Sequence, residues 1–295
     1  MRFSLWPNAV FPAREIVSEA RDADAAGWHG VWIADHYMPN TGDRSVVPGV
    51  THEAWALLPA IAATTERVRI GSLVAPTSVH HPAVLANRVA TIDHLSQGRM
   101  TLGIGAGWQV NEHAAYGIDL EPPGRRVTRF EESIAIIRSL LTEPRTTYAG
   151  RVFTIADAVC DPKPVQERLP ILVGTKSPRM LRITARHADA WNTWGTPATA
   201  AAARRLLVEA CEKVGRDPGT VWCSVNARVF HDRPVLAGGP ASVGGSSEEL
   251  VDSFGAYAEA GFDEFVLPDV NLGGSLAQRS DAIARFKAEV IDPLG

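Results

Sequence analysis

Cysteine is scarce: Cys160, Cys211 and Cys223 are the three in 295 residues, an odd number without CxxC or Cys/His spacing. That excludes a disulfide framework and a zinc site as organising devices, and buried free thiols are expected instead. Long apolar runs are also missing, none approaching the roughly 20 residues that span a bilayer. The opening MRFSLWPNAV holds too short an apolar stretch for a secretory signal, so the expected location is cytoplasmic. There is no run of Lys or Arg, and the net charge is −4. Nucleic acid and anionic membrane are therefore poor partners, and a small-molecule substrate is the natural one. What the chain has in quantity is apolar material, 45% of its residues, enough to fill one large α/β barrel or two ordinary domains.

The order of patterns favours the barrel. Short continuous apolar runs, as expected of parallel strands buried on both faces, alternate with stretches of helical spacing. Phe3 to Trp6 leads into a helix closed by Gly27, and GVWIA (30–34) into a helix from Glu53 to about Glu66. Val68 to Val74 precedes a helix from His81-Pro82 to about Leu95, Gly98 supplies the turn, and Met100 to Gly105 is the fourth strand. Four further units follow, with strands at 170–174, 188–193, 221–229 and 264–268. The count of eight strand-helix units predicts a (β/α)8 TIM barrel with insertions, one domain over 1–295. Gly/Pro-rich or broken patterns place the insertions at about 37–52, 143–169 and 231–246, the second a hairpin. Loops of this kind carry a barrel's specificity.

Barrels place chemistry where strands end, and several such ends here are polar. Asp35-His36 closes the second strand, and a histidine beside a carboxylate suits proton transfer, although a structural histidine is a common alternative. In GTKSPRM, a glycine leaves the fifth strand and Ser177 can cap a helix opening with Pro178. Such a helix start favours an anion, with Gly174, Thr175, Ser177 and Arg179 as candidate phosphate ligands; an ordinary capped helix uses the same residues. GIGAGWQVNEH lacks the third glycine of a dinucleotide fingerprint. Its Gly103, Gly105 and Gly107 allow a flat ring to approach, with Asn111 offering an amide, or they simply turn the chain. Trp6, Trp32, Trp108, Trp191 and Trp194 lie near strand ends, where they can wall an aromatic pocket or pack the core. His80 and His81 point opposite ways on an extended chain, so no metal site is expected.

The stretches VWIADHY, RVRIGSLVAPTSVHHPAVLANRVATIDHLSQGRMTLGIGAGWQVNEHAAYGI, YAGRVFTI with PKPVQ, and LPILVGTKSPRMLRITARHADAWN span residues 30 to 192. In that order the chain resembles the bacterial luciferase-like flavin- and deazaflavin-dependent oxidoreductases. The resemblance implies coenzyme F420, or FMN as the alternative, with its ring over strand three at a cis peptide falling at Ser72-Leu73. It implies His36 beside the reactive ring carbon, Asn111 in contact with the ring or its side chain, phosphate on the Gly174 to Arg179 loop, and Trp191 with Asn192 closing the side-chain site. Where the family's sugar-phosphate dehydrogenases carry a glutamate acid, this chain has Trp108, which argues for an apolar or aromatic substrate. The activity implied is hydride transfer between F420 and a small organic substrate. An FMN monooxygenase fed by a partner reductase, or a non-catalytic flavin-binding protein, are the other readings. Homodimers are usual in the family.

Overall fold

The computed structural model describes residues 1–235 and 240–295. Residues 236–239, inside the insertion expected at 231–246, lie outside the described residues. In chain order the strands are β1 (Arg2–Trp6), β2 (Gly30–Ile33), β3 (Arg69–Ser72), β4 (Ala75–Pro76), β5 (Met100–Gly105), β6 (Thr146–Ala149), β7 (Thr154–Ala158), β8 (Ile171–Gly174), β9 (Ala190–Trp194), β10 (Trp222–Asn226), β11 (Arg228–His231), β12 (Ser242–Gly245) and β13 (Glu264–Pro268). The helices are α1 (Ala13–Ala25), α2 (Ala54–Thr64), α3 (Pro82–Leu95), α4 (Val110–Ala115), α5 (Pro123–Thr142), α6 (Pro178–His187), α7 (Pro197–Glu212), α8 (Ser247–Glu259) and α9 (Leu276–Phe286). Strands β1, β2, β3, β5, β8, β9, β10 and β13 are each followed by a helix and pair in parallel, so the fold is a (β/α)8 barrel with insertions.

Local chemistry explains most boundaries. Helix α3 opens with Pro82 behind His81, whose ring nitrogen accepts the Ala83 N–H, and α6 opens with Pro178 behind Ser177. Helices α8 and α9 start in capping boxes, Ser246 with Glu249 and Ser275 with Gln278. After α3 the chain reverses through Gln97 and Gly98, both at positive φ, where glycine adopts without strain what other residues resist.

The chain forms two compact units. The first comprises Met1–Asn8, Arg14–Trp32 and Thr175–Gly295. Within it β1 pairs with β2 and β13, and β10 with β13 and β9, in registers such as Ser4↔Gly30 and Arg2↔Glu264. Its core includes an edge-to-face cluster of Phe3, Phe254, Phe265 and Phe286. Glu264, buried, accepts hydrogen bonds from Ser4, Trp32 (2.9 Å) and Trp222 (3.1 Å), neutral donors that let a carboxylate stay inside. Strand seven was expected to run to Val229. It stops at Asn226, and β11 instead pairs in parallel with β12, inside the segment expected to be irregular.

The second unit comprises Ala9–Ala13 and Ile33–Gly174. Here β5 pairs with β3, β4 and β8, and the expected strand three is broken between Ser72 and Ala75. The expected hairpin is β6–β7, antiparallel, and buried Glu132 of α5 accepts the backbone N–H groups of Arg151, Val152 and Phe153. Three backbone donors on one carboxylate fix the tip of that excursion.

A second buried charge cluster lies in the first unit. Arg279 of α9 is fully buried against Glu15 (2.9 Å), Glu19 (3.1 Å) and Asp269 (3.4 Å). One guanidinium faces three carboxyl groups, so burial, and then the charge of Glu19, pushes the Asp269 carboxyl up from 3.8 to about 8. Burial likewise raises Glu19. A folded-state pKa above the unfolded one means that folding takes up a proton between those two values. The stabilisation is complete below about pH 4 and is lost as pH rises toward 8. Asp269→Asn should keep the acceptor for the Asn8 N–H, made at 2.8 Å, while removing this titration. We expect the wild-type unfolding free energy to fall between pH 5 and 8 by up to about 1.4 kcal/mol per pH unit, and that slope to flatten in the variant. Parallel denaturation profiles for the two proteins would place the proton elsewhere.

Candidate active site

Strand β2 stops at Ile33, and Ala34, Asp35 and His36 continue from its carboxyl end. Consecutive residues on an extended chain point to opposite sides, and the two candidate groups separate accordingly. Asp35 turns inward: it is fully buried, and its Oδ2 accepts from Trp55 Nε1 and pairs with His80 Nε2, each at 2.7 Å. His36 turns outward, its side chain 28% exposed, and its Nδ1 lies 3.0 Å from Glu112 Oε1. The expected Asp35–His36 acid/base pair is therefore corrected. The carboxylate that orients His36 is Glu112, on α4, and Asp35 belongs to a separate buried pair with His80.

Glu112 is itself buried, and its Oε2 accepts the Tyr37 N–H at 3.0 Å. With both oxygens receiving donors, the imidazole is held by a group that cannot rotate away, and the Nδ1–H tautomer suits that contact. Nε2 is then the nitrogen with a lone pair to offer, and it makes no hydrogen bond among the described residues. Two more residues of the same turn fasten the chain beyond His36: Gln109 donates to Met38 O (3.0 Å) and Asn111 to Pro39 O (2.8 Å). Asn111 thus spends its amide N–H on the base of the 37–52 segment, while its buried Oδ1 has no partner. Sequence reasoning missed Glu112. The available signal was the NE pair in GWQVNEH, one residue past the asparagine that was singled out.

The glycines of this turn serve a different neighbour from the one expected. A non-proline cis peptide is present, at Leu73–Val74 and not at Ser72–Leu73, one residue further along the break between β3 and β4. A Cβ on Gly103 would lie 1.9 Å from Ser72 O and 3.1 Å from Val74 Cγ1, one on Gly105 2.9 Å from Val74 Cγ2, and one on Gly174 3.2 Å from Val74. The clearance they create is filled by Val74. Ser72, fully buried, donates to Gly103 O at 2.8 Å and ties the break to β5. Gly107, at φ +87°, has Ser78 Oγ 2.1 Å from its would-be Cβ, and Ser78 in turn meets His113 Nε2 at 2.8 Å.

In the first unit, Ser177 caps α6 by accepting the Met180 N–H at 3.4 Å, and Thr175 Oγ1 accepts the Ser177 N–H at 3.1 Å. Each hydroxyl oxygen is used as an acceptor, which leaves its proton for an incoming oxygen, so the donor set fits a phosphate. Trp191 is corrected from a pocket wall to a buried support: it is fully enclosed, stacks on Phe262, and donates to Thr175 O at 2.9 Å. Trp6, half-buried, packs against Trp194 with ring centroids 5.5 Å apart. Among the described residues no group of three or more His, Cys, Asp and Glu side chains is arranged to hold a metal ion. No described helix is long and apolar enough to cross a membrane.

A (β/α)8 barrel whose second strand leads into a histidine oriented by a buried carboxylate has the form of an enzyme. The sequence model described as Luciferase-like monooxygenase matches residues 2–234, and the chain belongs to that family. A protein of Mycobacterium tuberculosis described as uncharacterized is 33% identical over 211 residues, 67% of this chain and 74% of that one. An F420-dependent glucose-6-phosphate dehydrogenase of Amycolatopsis mediterranei is 34% identical over 182 residues, covering 61% of this chain and 53% of the dehydrogenase. Among solved structures, an F420-dependent secondary alcohol dehydrogenase in complex with an F420-acetone adduct superposes with a TM-score of 0.83 at 18% identity, covering 98% of this chain and 99% of that one.

The Val74 packing generates a test. Gly105→Ala should cost about 1–3 kcal/mol by overpacking, and combining it with Val74→Ala should recover part of that loss, because the added and removed methyl groups share one space. Urea unfolding of both single variants and the double variant measures the coupling. Strictly additive losses would mean that Val74 does not set the requirement for glycine.

Proposed function

We propose that this protein is an oxidoreductase that moves a hydride between coenzyme F420 and a small organic substrate, with His36 handling the accompanying proton. The observation that carries the reading is the state of His36: Nδ1 is engaged by Glu112 at 3.0 Å, while Nε2 lacks a protein partner at the end of a barrel strand. The family and the relatives whose names include F420 support the choice of cofactor. When bound, such a cofactor supplies a ring carbon that accepts or donates hydride. The chain's own part is to orient and to trade a proton. Glu112 fixes the imidazole, Nε2 takes the proton of a hydroxyl or returns one to a carbonyl oxygen, and Gln109 and Asn111 hold the following segment in place.

In the first unit, the hydroxyl protons of Thr175 and Ser177 support the reading of the α6 start as the phosphate ligand, with Arg179 beside them. An FMN-dependent monooxygenase using reduced flavin from a partner reductase is the second reading, favoured by the description of the matching family. A homodimer in the cytoplasm belongs to both.

Two experiments test this. His36→Asn should lower turnover about 10²-fold with cofactor affinity within a few-fold, and Glu112→Gln should lower it about tenfold, since an amide cannot accept from both Nδ1–H and the Tyr37 N–H. Loss of cofactor binding with an unchanged saturated rate would make His36 a ring-positioning group. Ser177→Asp should weaken F420 and FMN, whose phosphates it would repel, and spare riboflavin, which has none. Equal losses for all three would move the phosphate away from α6, and titration with each cofactor decides between F420 and FMN.

A further inference from the structure

Of the eight tryptophans, Trp108 stands apart in exposure. Trp28, Trp32, Trp55 and Trp191 are buried, Trp6, Trp194 and Trp222 are half-buried, and Trp108 is 58% exposed. An exposed side chain alone signals little, and what marks Trp108 is an open indole face beside the candidate proton-handling histidine. Among the described residues its ring meets His36 edge-to-face, centroids 5.5 Å apart at 82°. Tyr37, the next residue, packs on Tyr116 at 5.6 Å, and Tyr116 is exposed as well. Trp108 and Tyr116 flank α4, whose Glu112 lies between them with both oxygens already engaged. The result is two ring pairs, His36 with Trp108 and Tyr37 with Tyr116, and the unengaged nitrogen beside Trp108 is His36 Nε2.

Burial raises the Tyr37 phenol, and Asp35, Glu53 and Glu112 raise it further while Arg88 lowers it. Arg126 donates to Gly107 O at 2.7 Å, one residue before Trp108, while among the described residues no Arg or Lys is hydrogen-bonded to or stacked on the four rings themselves.

We propose that Trp108 is the substrate platform, and that the substrate is an aromatic compound carrying a hydroxyl or carbonyl oxygen, its ring against the indole and its oxygen at His36 Nε2. The proposal rests on the functional reading above and narrows it to aromatic alcohols and ketones.

Binding to the whole protein without cofactor tests it independently of turnover. The Trp108 indole N–H signal, assigned by its loss in Trp108→Phe, is followed by NMR during titration with acetophenone, 2-butanone and glucose 6-phosphate. Acetophenone should shift it and bind at least tenfold more tightly than 2-butanone, and glucose 6-phosphate should leave it unmoved. Trp108→Ala should weaken acetophenone about tenfold and Trp108→Phe should restore most of that, the scale of one aromatic contact with its buried area. Unchanged acetophenone affinity in Trp108→Ala, or tighter binding of glucose 6-phosphate at this signal, overturns the proposal. If F420 or FMN binds and supports turnover while acetophenone does not touch Trp108, the platform fails and the oxidoreductase reading stands. If acetophenone binds through Trp108 but neither cofactor binds, the platform stands and the oxidoreductase reading fails.

Discussion

Glu112 is the group on which the candidate site depends. A carboxylate almost out of water is costly unless its oxygens receive hydrogen bonds, and here the imidazole of His36 and the backbone N–H of Tyr37 provide them. The need runs both ways. The carboxylate requires the donors, and the histidine, standing on irregular chain past the end of β2, requires the carboxylate to have one orientation. Gln109 and Asn111 extend the attachment by two more residues, to Met38 and Pro39. Four successive residues after a strand are thereby held by a single helical turn.

That turn exists because β5 reaches its end in glycines. Small residues at 103 and 105 let β5 run close to the break between β3 and β4, and Val74 fills the space that larger side chains would have taken. The placement of the helical turn that holds His36 and the packing of an aliphatic side chain against β5 are in this sense one problem. A methyl group added at 103 would meet backbone, which has no rotamer to escape into.

The fold was legible in the sequence because buried parallel strands and amphipathic helices leave strong local patterns, and here eight of each alternate. Strand ends were legible to within a few residues, as was the β6–β7 hairpin. The misreadings occurred where local pattern is silent. Val221 to Val229 reads as one strand, with apolar and polar residues alternating from Cys223 on, yet Ala227 divides it between two sheets, a choice made by tertiary pairing. The cis bond falls one residue from its expected place, since a family likeness fixes a bulge better than its register. Asp35 and His36 looked like partners because they are adjacent in sequence, whereas strand geometry sends them to opposite sides. Glu112, 76 residues away from His36, could be recognised only once the chain had brought it there.

One attachment described above bears on how this protein changes over generations. Gln109 and Asn111 grip carbonyl oxygens of the main chain, which every residue type possesses, and so they read none of the side chains of the segment they secure. Residues 40 to 50 can therefore be rewritten in length and composition while their foundation keeps its shape. A scaffold with such a joint can acquire a new substrate loop by drift in a stretch that costs the fold little, and its descendants would diverge there first.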